Sequence, residues 1–504
     1  MRKIIFILLI VCGFVSAFSQ KSAYNEKHRP QFHFSQPAHW MNDPNGMVYY
    51  KGEYHLFYQY YPDSTVWGPM HWGHAVTKDL IHWQHLPIAL YPDSLGYIFS
   101  GSVVVDKNNS SGFKTGEESP LVAIYTYHNM AGEKSGRTDF QTQGIAYSND
   151  KGRTWKKYNH NPVIKNPGIK DFRDPKVMWH EASKHWILTM AVANHIRFYR
   201  STDLKNWELS GTFGEKEGSH GGVWECPDLI QLPVANNKGS KWVLLVSVGN
   251  GAANGGSGTQ YFVGDFDGKT FLNHHVPEKI LWLDYGCDNY AGVTWSNVPA
   301  NRHLFLGWMS NWQYATKVPT EKWRSAMTLP RELFLNKTTD GYHVITQPAK
   351  ETEQLRIHKT PVNFLSKKEY GYSLCELTVE FDATAANSDD FGIEINNTKN
   401  ESIHIGYNKT KNTFYIDRTN CKNTSFAKEF PAVHYAPRLA NDKKPRMHLY
   451  IDKSSVELFA DGGSVTMTDI FFPSEDFNRI KAYSKAGNAP VTGGELYALK
   501  SVWH

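Results

Sequence analysis

Short apolar runs recur along the chain, at residues 46–61 (GMVYYKGEYHLFYQYY), 185–193 (HWILTMAVA), 241–249 (KWVLLVSVG) and 303–310 (HLFLGWMS). Each is rich in aromatic and β-branched side chains and bounded by Gly, Asn, Asp or Pro, which predicts β-strands. The 3.6-residue apolar period of an amphipathic helix is scarce. A loose repeat accompanies the strands. TKDLIHW (77–83), SNDKGRTW (148–155), STDLKNW (201–207) and the weaker GDFDGKTF (264–271) each set a polar turn before an aromatic residue. Their starts lie about 50–70 residues apart, room for one four-stranded sheet per copy. Outer hairpins ending in an aromatic wedged between neighbouring sheets predict a β-propeller. The competing account is chance recurrence of Asp turns in a β-rich chain.

After about residue 345 the pattern changes, with less Trp and more Lys, Asn and Thr. Alternating segments at 377–383, 404–408, 413–417 and 447–463 predict an antiparallel β-sandwich. The expected organisation is all-β: a propeller over 24–345, a linker over 346–355 and a sandwich over 356–504. Residues 1–19 (MRKIIFILLIVCGFVSAFS) have a basic start, an apolar run and small residues before the expected cut, the pattern of a secretory signal peptide. Export to the periplasm or the extracellular space follows. Cys12 raises a surface lipoprotein as the weaker alternative, because Val11 before it is not small. No later run is long and apolar enough to span a membrane.

Composition narrows the chemistry. The net charge of +5 is too weak for a surface that tracks nucleic-acid phosphates. Four cysteines remain after the leader, Cys226, Cys287, Cys375 and Cys421, without zinc-ligand spacing. Sixteen Trp, 27 Tyr and 27 Phe favour β-structure or a sugar-binding surface.

Three acidic stretches stand out: NDPNG (42–46), FRDP (172–175) and WECPDL (224–229). Singly, Asp43 reads as a turn cap and Asp174 as an ion-pair partner of Arg173. Glu225 is odder, because a glutamate between Trp224 and Cys226 is costly to bury unless protonated or paired. Together, carboxylates on separate blades of an exported, Trp-rich propeller suggest a glycosidase, whose reaction needs two carboxyl groups across the scissile bond.

With these stretches the chain resembles glycoside hydrolase family 32, the invertases, levanases and inulinases. The resemblance runs through HWMNDPNG (39–46), YHLFYQYYP (54–62), MHWGHAVTKDLIHW (70–83), IFSGS (98–102), FRDP, WECPDL and VELFADGG (456–463), in the family's order. It implies a five-bladed propeller followed by a β-sandwich and a retaining mechanism without metal or organic cofactor. It further implies Asp43 as nucleophile, Glu225 as acid/base and Asp174 as transition-state stabiliser. Asn42, Gln59, Trp67, Phe99, Ser100 and Arg173 match positions that hold the terminal fructose. Trp308, with Trp312 competing, and Tyr290 are expected to close the same pocket. The implied substrates are fructan chains or sucrose. Residues 66–93 most resemble levanase and exo-inulinase members, so a fructan exohydrolase is expected ahead of an invertase, a fructosyltransferase or a silent fructan-binding protein. Oligomeric state is not legible.

Overall fold

A computed structural model describes residues 24–235, 239–362 and 369–503. The leader reading falls on residues outside this set. Up to Pro348, 20 strands form five four-stranded antiparallel sheets, and three two-residue strands add to their edges. Their first strands, His39–Tyr50, Tyr97–Val105, Phe172–His180, Trp224–Pro233 and Tyr290–Thr294, touch one another in sequence, and the fifth touches the first. They therefore form the inner ring of a five-bladed propeller, with the later strands of each sheet layered outward. The short strand Trp323–Arg324, reached after the second strand of blade V, closes the ring by pairing in parallel with His39 and Trp40 of blade I.

Each seam between blades has its own apolar core. Phe57, Trp72, Ile98 and Tyr125 fill the first seam, and Trp40, Leu56, Leu306 and Trp308 fill the closing one. The repeated Asp turns link the third and fourth strands of blades I to IV. In each, one carboxylate oxygen accepts backbone N–H groups further along its turn: Asp79 from Ile81 and His82, Asp150 from Thr154, Asp203 from Lys205 and Asn206, Asp267 from Lys269 and Thr270. Side-chain closure of the turn is why Asp recurs there. Trp155 then packs edge-on to Phe57 of the preceding blade, at 5.4 Å.

The last strand of blade V, Gly341–Pro348, leads through a 3-10 turn, Lys350–Leu355, into a sandwich. Its two sheets have six and five strands, and their inward residues, such as Phe381, Ile393, Phe414 and Leu458, form one core.

The junction between propeller and sandwich is buried and charged. Arg331 of blade V is fully buried and pairs with Asp284 of the propeller and Glu457 of the sandwich. Residues 24–38 enter the same junction, where the His33 ring bridges Asp452 at 2.8 Å and Glu457 at 2.7 Å. Nearby, Cys287 Sγ lies 3.2 Å from His434 Nε2, and His434 Nδ1 lies 2.8 Å from Asp469. This has the order of a nucleophilic triad, but all three side chains are buried. Burial also pushes the thiol well above its usual value, so it holds no reactive thiolate.

Burial alone would lower the His33 pKa, but the two carboxylates outweigh it and raise the value from 6.5 to about 9. A histidine whose folded pKa is raised contributes stability that is complete below pH 6.5 and disappears as pH climbs through 9. The thermal midpoint should therefore fall between those two pH values. The other strongly shifted histidines, such as His28 and His55, titrate lower and do not contribute in this window. A His33→Gln chain should lack the part of the decline above about pH 7, where Asp174 is already ionised; an identical decline in that chain would remove His33 as its cause.

Candidate active site

Every inner strand starts with the same irregularity. Two of its residues bulge opposite one residue of the next strand: Asn42–Asp43 opposite Gln59, Phe99–Ser100 opposite Thr126, Asp174–Pro175 opposite Met190, Cys226–Pro227 opposite Val246, and Ala291–Gly292 opposite Gly307. The underlying triplets are Asn42-Asp43-Pro44, Phe99-Ser100-Gly101, Arg173-Asp174-Pro175, Glu225-Cys226-Pro227 and Tyr290-Ala291-Gly292. Proline has no N–H to offer a ladder, so it suits a bulge. Gly101 is required for space, since a Cβ there would sit 2.1 Å from the Ile124 carbonyl oxygen. Asp174, Cys226 and Ala291 take φ of 63°, 45° and 52°. Such left-handed conformations cost on the order of 1–3 kcal/mol each for a non-glycine residue. The strain accompanies re-aimed side chains, the usual service of a bulge.

NDPNG is thus not a turn between strands, as its composition predicts, but a bulged stretch within one strand, His39–Tyr50. The ladder resumes through Asn45 and again from Val48, with Gly46 at φ +51° between them.

The five bulges bring the three carboxyls together. Asp43 Oδ2 accepts a hydrogen bond from Ser100 Oγ at 2.6 Å, and Oδ1 accepts one from Asn42 Nδ2 at 3.0 Å. Trp40 Nε1 fixes Asn42 by donating to its Oδ1 at 2.8 Å. Asp174 Oδ2 accepts the backbone N–H of Cys226 at 3.0 Å, while its own N–H donates to Thr126 Oγ1. The Cys226 thiol lies 3.6 Å from Oδ2 of both Asp43 and Asp174. Glu225 Oε1 accepts from Arg173 Nη2 at 2.9 Å and Nε at 3.1 Å, and Oε2 accepts from Tyr290 Oη. Arg173 is braced behind by Asp171 Oδ1 at 2.6 Å.

Asp43 and Asp174 are both buried, and burial leads the rise of each. Burial, and then the charge of Glu225, raise the Asp43 pKa against the hydrogen bonds of Ser100 and Asn42. Asp174 is pushed up to about 7 by burial; Arg173 opposes the rise, while Glu225 and Asp43 add to it. The Cys226 thiol is raised well above its usual value, by burial and the same carboxylates, so it is a weak donor among them and not a nucleophile.

The remaining sequence-derived positions divide by exposure. Gln59 is buried opposite the Asn42–Asp43 bulge, and its Nε2 donates to no described residue. Phe99 stacks on His128 at 4.2 Å and meets Trp67 edge-on at 6.0 Å, both rings half-buried. Trp308 is fully buried against Tyr290, Trp40 and Trp312, and its indole N–H has no partner among described residues. Trp312, 4.8 Å from Trp308, is the member of the pair that keeps exposed surface. Sequence reasoning gave no role to Cys226, Thr126 and Asp171. The recurring third-position Pro or Gly would have pointed to the bulges, and so to Cys226 beside Glu225.

Glycosyl hydrolases family 32 N-terminal domain matches residues 33–348, and Glycosyl hydrolases family 32 C terminal matches residues 343–498. A levanase of Bacillus subtilis is 48% identical over 99% of this chain and 74% of its own length. An extracellular exo-inulinase of Aspergillus awamori is 36% identical over 99% of this chain and 98% of its own. The crystal structure of exo-inulinase from Aspergillus awamori superposes with a TM-score of 0.87 at 35% identity, covering 95% of this chain and 100% of that one.

Proposed function

The chain belongs to glycosyl hydrolase family 32, and from that premise we propose that it is an exo-acting β-fructofuranosidase that releases terminal fructose from fructans and cleaves sucrose. The observation that carries the reading is the convergence of Asp43, Asp174 and Glu225, each held by a separate blade, in one pocket floored by Cys226.

In this reading each group has a task. Asp43, oriented by Ser100 and Asn42, attacks the anomeric carbon as a carboxylate. Glu225, reached by Arg173 and Tyr290, protonates the departing oxygen and later takes the proton of the incoming water. Between the two steps fructose is held as an ester of Asp43. Asp174, anchored by a backbone N–H, accepts hydrogen bonds from sugar hydroxyls as positive charge grows on the ring. Gln59 Nε2, buried opposite the Asn42–Asp43 bulge, keeps an unspent donor. Trp67 and Phe99 offer apolar surface to the sugar, with Trp308 and Trp312 closing the side formed by blade V.

The leader pattern, together with the extracellular character of the Aspergillus relative, supports export. Incubation with sucrose, levan and inulin separately, followed by chromatography, tests the substrate reading. Free fructose should appear from the polymers from the first minutes, without intermediate oligomers. Glucose and fructose from sucrose, with both polymers intact, would make the protein an invertase. Oligofructans growing from sucrose would make it a transferase.

A further inference from the structure

The second and third strands of blade II, Leu121–His128 and Gln141–Ser148, form a hairpin that leans on two parts of the site at once. At its closed end His128 and Gln141 face each other across the ladder, and both are buried. On one side the His128 ring stacks on Phe99, with centroids 4.2 Å apart and planes 9° from parallel. On the other side the hairpin takes up polar groups at the start of the inner strand of blade III. Gln141 Oε1 accepts the Phe172 N–H at 2.8 Å and reaches Arg173 Nη1 at 3.5 Å. Gln143 Nε2 donates to the Phe172 carbonyl at 2.9 Å, and Thr126 Oγ1 accepts the Asp174 N–H at 3.0 Å.

The polarity of these contacts is fixed by what each group can do. The Phe172 N–H and the Arg173 guanidinium can only donate, so the Gln141 oxygen must face them and its NH2 must face the imidazole. Gln141 Nε2 lies 3.2 Å from His128 Nδ1, which therefore accepts. The single ring proton then sits on Nε2, 3.0 Å from Glu133 Oε2, which accepts it. Burial lowers the His128 pKa and so favours this neutral ring; Glu133 and Asp171 oppose the shift, and Arg173 assists it. A proton on Nδ1 would set N–H against N–H. Turning the amide to relieve that would set its NH2 against Phe172 and Arg173.

A buried histidine with both nitrogens satisfied is by itself an ordinary core residue. His128 differs in what its neighbours do. In the reaction proposed above Phe99 lies against the sugar, and Arg173 holds Glu225 Oε1 through Nη2 and Nε. Glu225 must meet the leaving oxygen at hydrogen-bond distance, and a misplacement of about 1 Å at such a group costs on the order of 10²-fold in rate. We propose that His128 is a positioning residue for this reaction: through Gln141 it aims Arg173 at Glu225, and with its ring it sets the plane of Phe99 against the sugar. The tasks of Glu225 and Phe99 rest on the activity proposed above.

Two variants separate the two contacts. His128→Phe keeps a ring against Phe99 and removes the acceptor for Gln141. His128→Asn places Oδ1 close to the Nδ1 position and removes the ring. His128→Phe should lower kcat on sucrose about tenfold with little change in KM. Its loss should be much smaller on β-fructosyl fluoride, whose departure needs little protonation. His128→Asn should raise KM for sucrose roughly fivefold and lower kcat less than His128→Phe does. In crystals of His128→Phe, Arg173 should stand off Glu225. Gln141→Met removes the same link from its other end, and carries these readouts if His128→Phe misfolds. Equal losses on sucrose and the fluoride in both His128 variants, with KM and Arg173 unmoved, would make His128 a packing residue and overturn the proposal. A wild-type chain that releases no fructose from sucrose, levan or inulin would sink the proposed activity, while an Arg173 displaced in the variant crystals would still establish that His128 aims it.

Discussion

Replacing Asp43 by alanine should reduce fructose release by on the order of 10⁴-fold or more, because no other group can form the ester intermediate. The alternatives are poorly placed. Asp174 is tied to the Cys226 backbone, and the Cys226 thiol is held protonated by burial and by the carboxylates around it. The substitution should barely disturb the fold, since among the described residues the Asp43 carboxylate bonds only Asn42, Ser100 and the Cys226 thiol at the pocket floor. Losing its charge also removes one of the causes that raise Asp174, so the remaining aspartate should titrate lower in the variant. Thermal unfolding and fructose release measured on the same preparation separate the outcomes. A stable Asp43→Ala chain that still hydrolyses sucrose at an undiminished rate would refute the nucleophile assignment.

Much of the architecture is legible in the chain because the relevant interactions are local. The Asp turns close through their own side chains, and the aromatic that follows has only the neighbouring blade to pack against. The inner strands are less legible. A bulge depends on what stands opposite, so the pairing of Asn42–Asp43 with Gln59, or of Asp174–Pro175 with Met190, has no signature within either strand. NDPNG therefore reads as a turn although it lies inside a strand. The carboxyls themselves are visible as residues one or two places before proline, but their partners are remote in sequence: Ser100 lies 57 residues from Asp43, and Tyr290 lies 65 from Glu225. Cys226 is hardest to read, because its contribution is a backbone N–H and a position between two aspartates. The Lys176–Asp228 pair leaves no trace at all, as Lys176, Asp228 and Thr294 come from three blades and meet only when the ring closes.

Glu225→Ala should show a different fingerprint from the loss of Asp43. Removing a general acid costs on the order of 10²–10⁴-fold when the departing oxygen needs its proton, as a sugar hydroxyl does. An activated fructoside, such as β-fructosyl fluoride or an aryl fructoside, departs with little protonation, so the ester on Asp43 should still form at close to the normal rate. Water then attacks slowly without a base, and the ester should accumulate as a burst of leaving group. Azide needs no deprotonation; it should displace Asp43 and yield β-fructosyl azide, with the configuration of the substrate retained and the carboxylate released. The neighbourhood makes this variant informative, since Arg173 keeps its bond to Asp171 and Tyr290 stays buried in the blade V seam. Stopped-time assays with and without azide, on sucrose and on the activated substrate, read the pattern directly. Equal losses on both substrates, with no azide product, would mean that Glu225 positions the sugar rather than moving the proton. Tyr290, whose hydroxyl is held protonated by burial and by Glu225, would then be the group to replace next.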